Sequence, residues 1–182
     1  HYGLPIISYR LTERPCVNQH VFYVRQDWLD KLGLQVPTTI DEFAAVAKAF
    51  AENDPDGNGT RDTYGFSSCD NGIWWMYPIF NAFDSSYERY RKADGKWVPE
   101  LISDNSKAAV AFLRQMYADK VLDPEFMLNT GDKLMEKFIA GKVGMYISNG
   151  RGHYNNLYDK MALAYPDKDP KTLFTYTGIL AG

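Results

Sequence analysis

Nine consecutive residues, Asp54-Pro55-Asp56-Gly57-Asn58-Gly59-Thr60-Arg61-Asp62, constrain this chain more than any other stretch. Oxygen-bearing side chains recur at loop positions 1, 3, 5 and 9, with glycine at position 6 and Thr60 at position 7. Alternate positions of a tight loop point inward, and Ca²⁺ takes roughly six to eight such hard oxygens. The pattern predicts a structural Ca²⁺ held by Asp54, Asp56, Asn58, the Thr60 carbonyl and Asp62. An Asx- and Gly-rich turn without metal is the alternative. Position 12 is Gly65 rather than a bidentate Glu, and Thr63-Tyr64-Gly65-Phe66 reads as extended chain. A helix–loop–helix sensor is therefore not expected, and a structural role is.

The loop is delivered by the clearest helix in the sequence. Thr39 and Glu42 form a capping-box pair, and Phe43, Val46, Ala47 and Phe50 follow at the spacing of one buried stripe. Around this unit the chain alternates strands and helices. Tyr2–Arg10, Val21–Arg25, Val143–Ser148 and Leu173–Leu180 read as strands. Asp27 is placed to cap a short helix that stops at Gly33, and two further helices are expected over Asn105–Lys120 and Asp132–Ala140. Trp74–Phe83 reads as a helix interrupted at Pro78. Asp94-Gly95 reads as the turn of a hairpin. The fold class is α/β and rich in helix.

Composition removes several functions. A net charge of −3 with no Lys/Arg cluster argues against nucleic acid, and no apolar run has the length of a membrane span. Cys16 and Cys69 are too few for a metal motif or a disulfide framework; two thiols and one bridge both remain open. The three histidines show no metal spacing. Aromatic residues, at 15%, include thirteen Tyr and four Trp, more than a core of this size needs. Such rings suit sugars, peptides or partner surfaces.

Three blocks are diagnostic: Tyr2-Gly3-Leu4-Pro5, Phe22–Leu34, and Pro37-Thr38-Thr39-Ile40-Asp41-Glu42-Phe43. Together with Asp54–Gly65 and Phe138–Met145 they resemble the family 1 extracellular solute-binding proteins, the capture subunits of ABC importers. The resemblance implies one lobe of a type II periplasmic-binding-protein fold. In that reading residues 1–25 are crossing strands from a missing lobe, 26–172 form the helix-rich lobe, and 173–182 return toward the missing lobe. It implies a saccharide ligand, ABC-importer membrane subunits as partners, and a structural calcium. It also implies an extracellular or periplasmic location, with a lipid anchor outside these residues and on neither cysteine.

Candidate ligand residues follow. Trp74 and Trp75 point about 100° apart on a helix, so one packs inside while the other is offered to a cleft. Asn149, Arg151 and Tyr154 lie in or beside a glycine-punctuated loop after a strand, where donors approach ligands; an ordinary strand-to-helix turn is the alternative. Trp97, beside the hairpin, is a weaker candidate than a cross-strand packing residue. Two rival readings are a carbohydrate-active enzyme fragment, which needs a close carboxylate pair in its cleft, and a calcium-stabilised cell-surface interaction module.

Overall fold

The computed structural model describes residues 20–69, 75–86, 89–178 and 180–181, and of Ala93 and Arg151 the backbone only. The expected strand at Tyr2–Arg10, and with it Cys16 and Trp74, lies outside them. The chain runs through β1 (Val21–Arg25), α1 (Gln26–Leu32), α2 (Ile40–Glu52), β2 (Tyr64–Ser67) and α3 (Tyr77–Ala82). A hairpin of β3 (Tyr90–Ala93) and β4 (Lys96–Pro99) leads to α4 (Asp104–Ala118) and α5 (Gly131–Ile139). Then come β5 (Val143–Ser148), α6 (Arg151–Ala164) and β6 (Phe174–Thr177).

Four strands form a mixed sheet in the order β2-β5-β1-β6. β2 and β5 are parallel, while β1 is antiparallel to both of its neighbours. The two central strands are apolar runs buried on both faces, and their period of two divides the interior. Phe22 and Val24 of β1, with Met145 and Ile147 of β5, point into one core. Tyr23 and Tyr146 point into the other. The first core is closed by α2 through Phe43, Val46, Ala47 and Phe50, and by α3 and α4. The second is closed by Leu134, Met135 and Phe138 of α5 and by Leu157 and Met161 of α6. The result is a three-layer helix–sheet–helix lobe.

Local chemistry sets the element ends. The Thr39 hydroxyl accepts the Glu42 N–H (3.2 Å) and the Glu42 carboxylate accepts the Thr39 N–H (3.3 Å), completing the capping box. Gly33 closes α1 in the left-handed region, φ 68°. Asp94 and Gly95, at φ 50° and 77°, make the hairpin turn. Two glycines bring α2 down onto the sheet: a Cβ on Gly65 would fall on the Ala47 carbonyl, and one on Gly144 on the Phe50 ring.

Two local expectations are corrected. Asp27 does not cap α1; its carboxylate takes the buried Arg25 guanidinium (2.7 and 2.6 Å), and Arg25 itself stands at the cap position. The same carboxylate still accepts the Trp28 N–H (3.1 Å), from inside the first turn rather than from the cap position. The expected break in the Trp74–Phe83 stretch falls at Met76 rather than at Pro78, which sits in the first turn of α3, where a missing N–H costs nothing.

Candidate binding cleft

β5 runs toward a cavity of about 340 Å³ at its carboxyl end. Open α/β sheets hold ligands at this end, because loops and helix N-termini converge there. Ile147 and Ser148 form part of the wall, the end of β2 adds Cys69, and Trp75 contributes an aromatic side. The start of α5 supplies Thr130, Gly131 and Asp132, and α6 supplies His153 and Asn156. The lining therefore joins an indole, two amides (Asn149 and Asn156), one carboxylate and one imidazole. That mixture matches a small polar ligand with apolar faces, met by a few directed hydrogen bonds.

A buried polar network lies beside this wall. The Asp123 carboxylate accepts hydrogen bonds from Ser67 (2.9 Å), Asn129 (3.0 Å) and Lys137 (2.8 Å), and from the Glu125 N–H (3.0 Å). Asn129 also donates to the Ser68 carbonyl, 3.2 Å. It thereby ties the residue before Thr130 to the residue before Cys69, and both of those line the cavity. Burial alone would push the Asp123 carboxyl up; the four hydrogen bonds outweigh it and hold the group below the usual carboxylate range.

On the other side, the fully buried rings of Tyr23 and Tyr146 stack with centroids 5.2 Å apart. The Tyr23 hydroxyl donates to the carbonyls of Asn149 (2.9 Å) and Gly150 (3.0 Å), which holds the turn from β5 into α6. The Tyr146 hydroxyl lies 2.6 Å from His153 Nε2.

The residues anticipated for ligand binding distribute unevenly. Trp75 and Asn149 line the cavity. Trp74 lies outside the described residues, as does the side chain of Arg151, whose backbone opens α6. Tyr154 packs against Phe174 (5.3 Å between centroids) and Tyr176, over the edge of the sheet. Trp97 projects from the hairpin, 69% exposed. Asp132, His153 and Asn156 were missed by sequence reasoning. A signal existed: His153 and Asn156 fall at i and i+3 on one helix face, and Asn149 precedes that helix by two residues.

At the far end of β5 stands the loop Asp54–Asp62. The Asp54 carboxylate accepts the backbone N–H groups of Gly57, Asn58 and Gly59, each at 3.0 Å. The Asn58 amide donates to Asp56 (2.8 Å) and Asp62 (3.0 Å), while its oxygen accepts from the Thr60 N–H (2.7 Å) and hydroxyl (2.6 Å). Lys142, just before β5, pairs with Asp62, and that contact holds the Asp62 carboxyl below its ordinary range. Burial, a hydrogen bond with Asp54 and the neighbouring carboxylate charges push Asp56 up. Among the described residues no three acidic, His or Cys side chains are gathered in ion-binding geometry. The donor set still fits a hard cation in kind: three carboxylates and an amide on one short exposed loop, with the Asn58 amide standing between two of the carboxylates.

A helix–sheet–helix lobe with a polar cleft at its central strand's carboxyl end is the architecture of the periplasmic-binding proteins, and solved members of that class superpose on this chain. The chain belongs to the bacterial extracellular solute-binding protein family, which matches residues 6–180. It is 31% identical over 137 residues to the polygalacturonan/rhamnogalacturonan-binding protein YtcQ of Bacillus subtilis strain 168, covering 75% of this chain and 27% of that protein. Lipoprotein LipO of the same organism is 30% identical over 164 residues, 87% of this chain and 32% of LipO. The structure of the S. pneumoniae ABC-transporter substrate-binding protein FusA in complex with kestose matches with a TM-score of 0.64 and 26% identity, over 91% of this chain and 32% of FusA. A FusA EF-hand mutant in complex with fructo-nystose matches equally. The chain thus spans about a third of the length of these relatives.

Proposed function

We propose that this chain is one lobe of an extracellular carbohydrate-capturing subunit of an ABC importer. The observation that carries the reading is the cavity at the end of β5, where Trp75 stands with Asn149, Asp132, His153 and Asn156. An indole face suits the C–H face of a pyranose, and amides and a carboxylate suit its hydroxyls. FusA, with the same fold, is a fructooligosaccharide transporter's substrate-binding protein solved in complex with kestose, and YtcQ is a polygalacturonan/rhamnogalacturonan-binding protein; capture rather than hydrolysis is the shared theme. The lipoprotein relative supports a lipid-anchored location at the cell surface. Titration of kestose and an oligogalacturonate into the full-length protein tests the reading. Binding that is lost in Trp75→Ala supports it; a Trp75→Ala variant that binds as well as wild type removes the cavity from the site.

The loop Asp54–Asp62 is proposed to hold a structural Ca²⁺ through Asp54, Asp56, Asn58, the Thr60 carbonyl and Asp62. The donor chemistry supports this, as does the existence of an EF-hand in FusA. Ca²⁺ there would neutralise like charges that otherwise rest on the Asn58 amide and Lys142.

A further inference from the structure

His153 lies one turn or less into α6, half-buried in the cavity wall. Its Nε2 faces the hydroxyl of Tyr146, and among the described residues this is the only hydrogen bond that hydroxyl makes. Tyr146 is fully buried, enclosed by Tyr23 on one side and Phe138 on the other. A phenol O–H and a ring N–H cannot both donate to each other. If the ring donated, the buried O–H would be left without an acceptor, at the full cost of its desolvation. Tyr146 therefore donates, Nε2 accepts, and the neutral ring carries its proton on Nδ1. Among the described residues Nδ1–H has no hydrogen-bond partner.

The charged and titratable groups around the ring are few. Asp132 on α5 favours the protonated ring, Lys160 on α6 disfavours it, and Tyr146 and Tyr23 pack from the sheet. Burial dominates and brings the imidazole down to about 4, so it is neutral in ordinary media. Asn149, in the turn before the helix, and Asn156, one turn beyond His153, are both exposed and both line the same cavity.

Resting on the saccharide reading above, we infer that His153 is a recognition residue of the cleft: its Nδ1–H, set by the Tyr146 hydroxyl, donates to an oxygen of the captured sugar. Tyr146 is the positioning residue, acting through the ring's tautomer. The wall then offers a single-direction donor at His153 beside amides that both donate and accept, and an acceptor at Asp132. A ligand carrying an acceptor oxygen opposite His153 is selected, and binding is insensitive to pH from about 5.5 to about 8.

The test uses full-length protein with ¹⁵N-labelled histidine. The ring signals of His153, assigned by their loss in His153→Asn, are expected to show a protonated Nδ1 and an unprotonated Nε2; the opposite pattern overturns the inference. Tyr146→Phe is expected to shift those signals toward the Nε2–H form, and unchanged signals would show that Tyr146 does not set the tautomer. With kestose as probe, His153→Gln, whose amide reaches toward the Nε2 position, should lower affinity about three- to tenfold. His153→Asn, whose amide nitrogen lies near the Nδ1 position, should recover most of that loss. Equal losses in both variants, or none in either, refute a directed donor. If neither kestose nor an oligogalacturonate binds the wild-type protein, the saccharide reading fails and the ligand contact with it, while the ring signals still decide the tautomer.

Discussion

Asp123 meets almost no solvent, yet it keeps its charge because Lys137 and three neutral donors surround it. Removing the carboxylate takes away the buried acceptor shared by Lys137, Asn129, Ser67 and the Glu125 N–H, although Lys137 keeps Glu125 (2.8 Å) and Asn129 keeps the Ser68 carbonyl (3.2 Å). Asp123→Ala is expected to cost about 2–4 kcal/mol, read from the urea midpoint at neutral pH. The pH dependence follows from the direction of the shift. A depressed carboxylate stabilises fully above its unfolded pKa of about 3.9 and loses that contribution as pH falls through its lower folded value. His153 acts in a different window. Its folded pKa lies near 4, below the unfolded value, so between about 6.5 and about 4 the unfolded chain binds a proton that the folded one does not. Stability therefore declines with falling pH across that range. His153→Asn should flatten this decline and leave the more acidic one. A decline of unchanged steepness in the variant would assign it to other groups.

α2 rests on the sheet at a distance set by Gly65 and Gly144. The Gly65 contact is with backbone, the Ala47 carbonyl, which cannot rotate away. Gly65→Ala is therefore expected to destabilise by about 3 kcal/mol, at the upper end for an added methyl group. Gly144→Ala meets the Phe50 ring, which can shift, and should cost less. A calorimetric ranking with Gly144→Ala the more damaging would contradict this account. Elements whose patterns are local were readable from sequence: α2 by its stripe and capping box, β5 by its apolar run, and the hairpin by Asp94-Gly95. Asp27 was misread because a cap is inferred from neighbours one turn away, whereas its partner Arg25 sits on the preceding strand. The Asp123 network joins residues up to 62 positions apart, and no periodicity announces it. The cleft was half legible for the same reason: Asn149 and Trp75 follow from loop and aromatic logic. Asp132 and His153 become neighbours only once α5 and α6 pack side by side.

At the scale of the molecule, the proposed ion and solute sites make separate demands. Saturation of the Asp54–Asp62 loop at a hundredfold over Kd should stabilise the fold by about 2.7 kcal/mol. For a chain of this size that raises Tm by about 5–10 °C. Asp56→Ala should abolish the shift, and a melting curve indifferent to exchange of Ca²⁺ for EDTA would remove the ion from the proposal. If this chain is one lobe, as proposed, it supplies one wall of the cleft. The 182-residue segment should bind kestose far more weakly than the full-length protein, by about 4 kcal/mol, as the facing wall and its closure are lost. Equal affinities in a side-by-side titration would place the whole site in this segment.

The alternation of β1 and β5 between two cores has a consequence for how such a protein changes over generations. One layer holds α2, α3, α4 and the acidic loop; the other, with α5 and α6, is the one that on the proposed reading faces the solute. Trp75 apart, the two layers pack on opposite faces of the sheet, so the effects of substitutions in separate layers add rather than compound. On the proposed reading the exposed Asn149 and Asn156 can then be exchanged one at a time, each trial taking up a new sugar or losing an old one, while His153, which holds the buried Tyr146 hydroxyl, is less free to change. Mutational drift in taste for ligands is thereby decoupled from drift in robustness. The coupling survives at Trp75, which packs against both cores and is the position where a change of diet would also be felt as a change of stability.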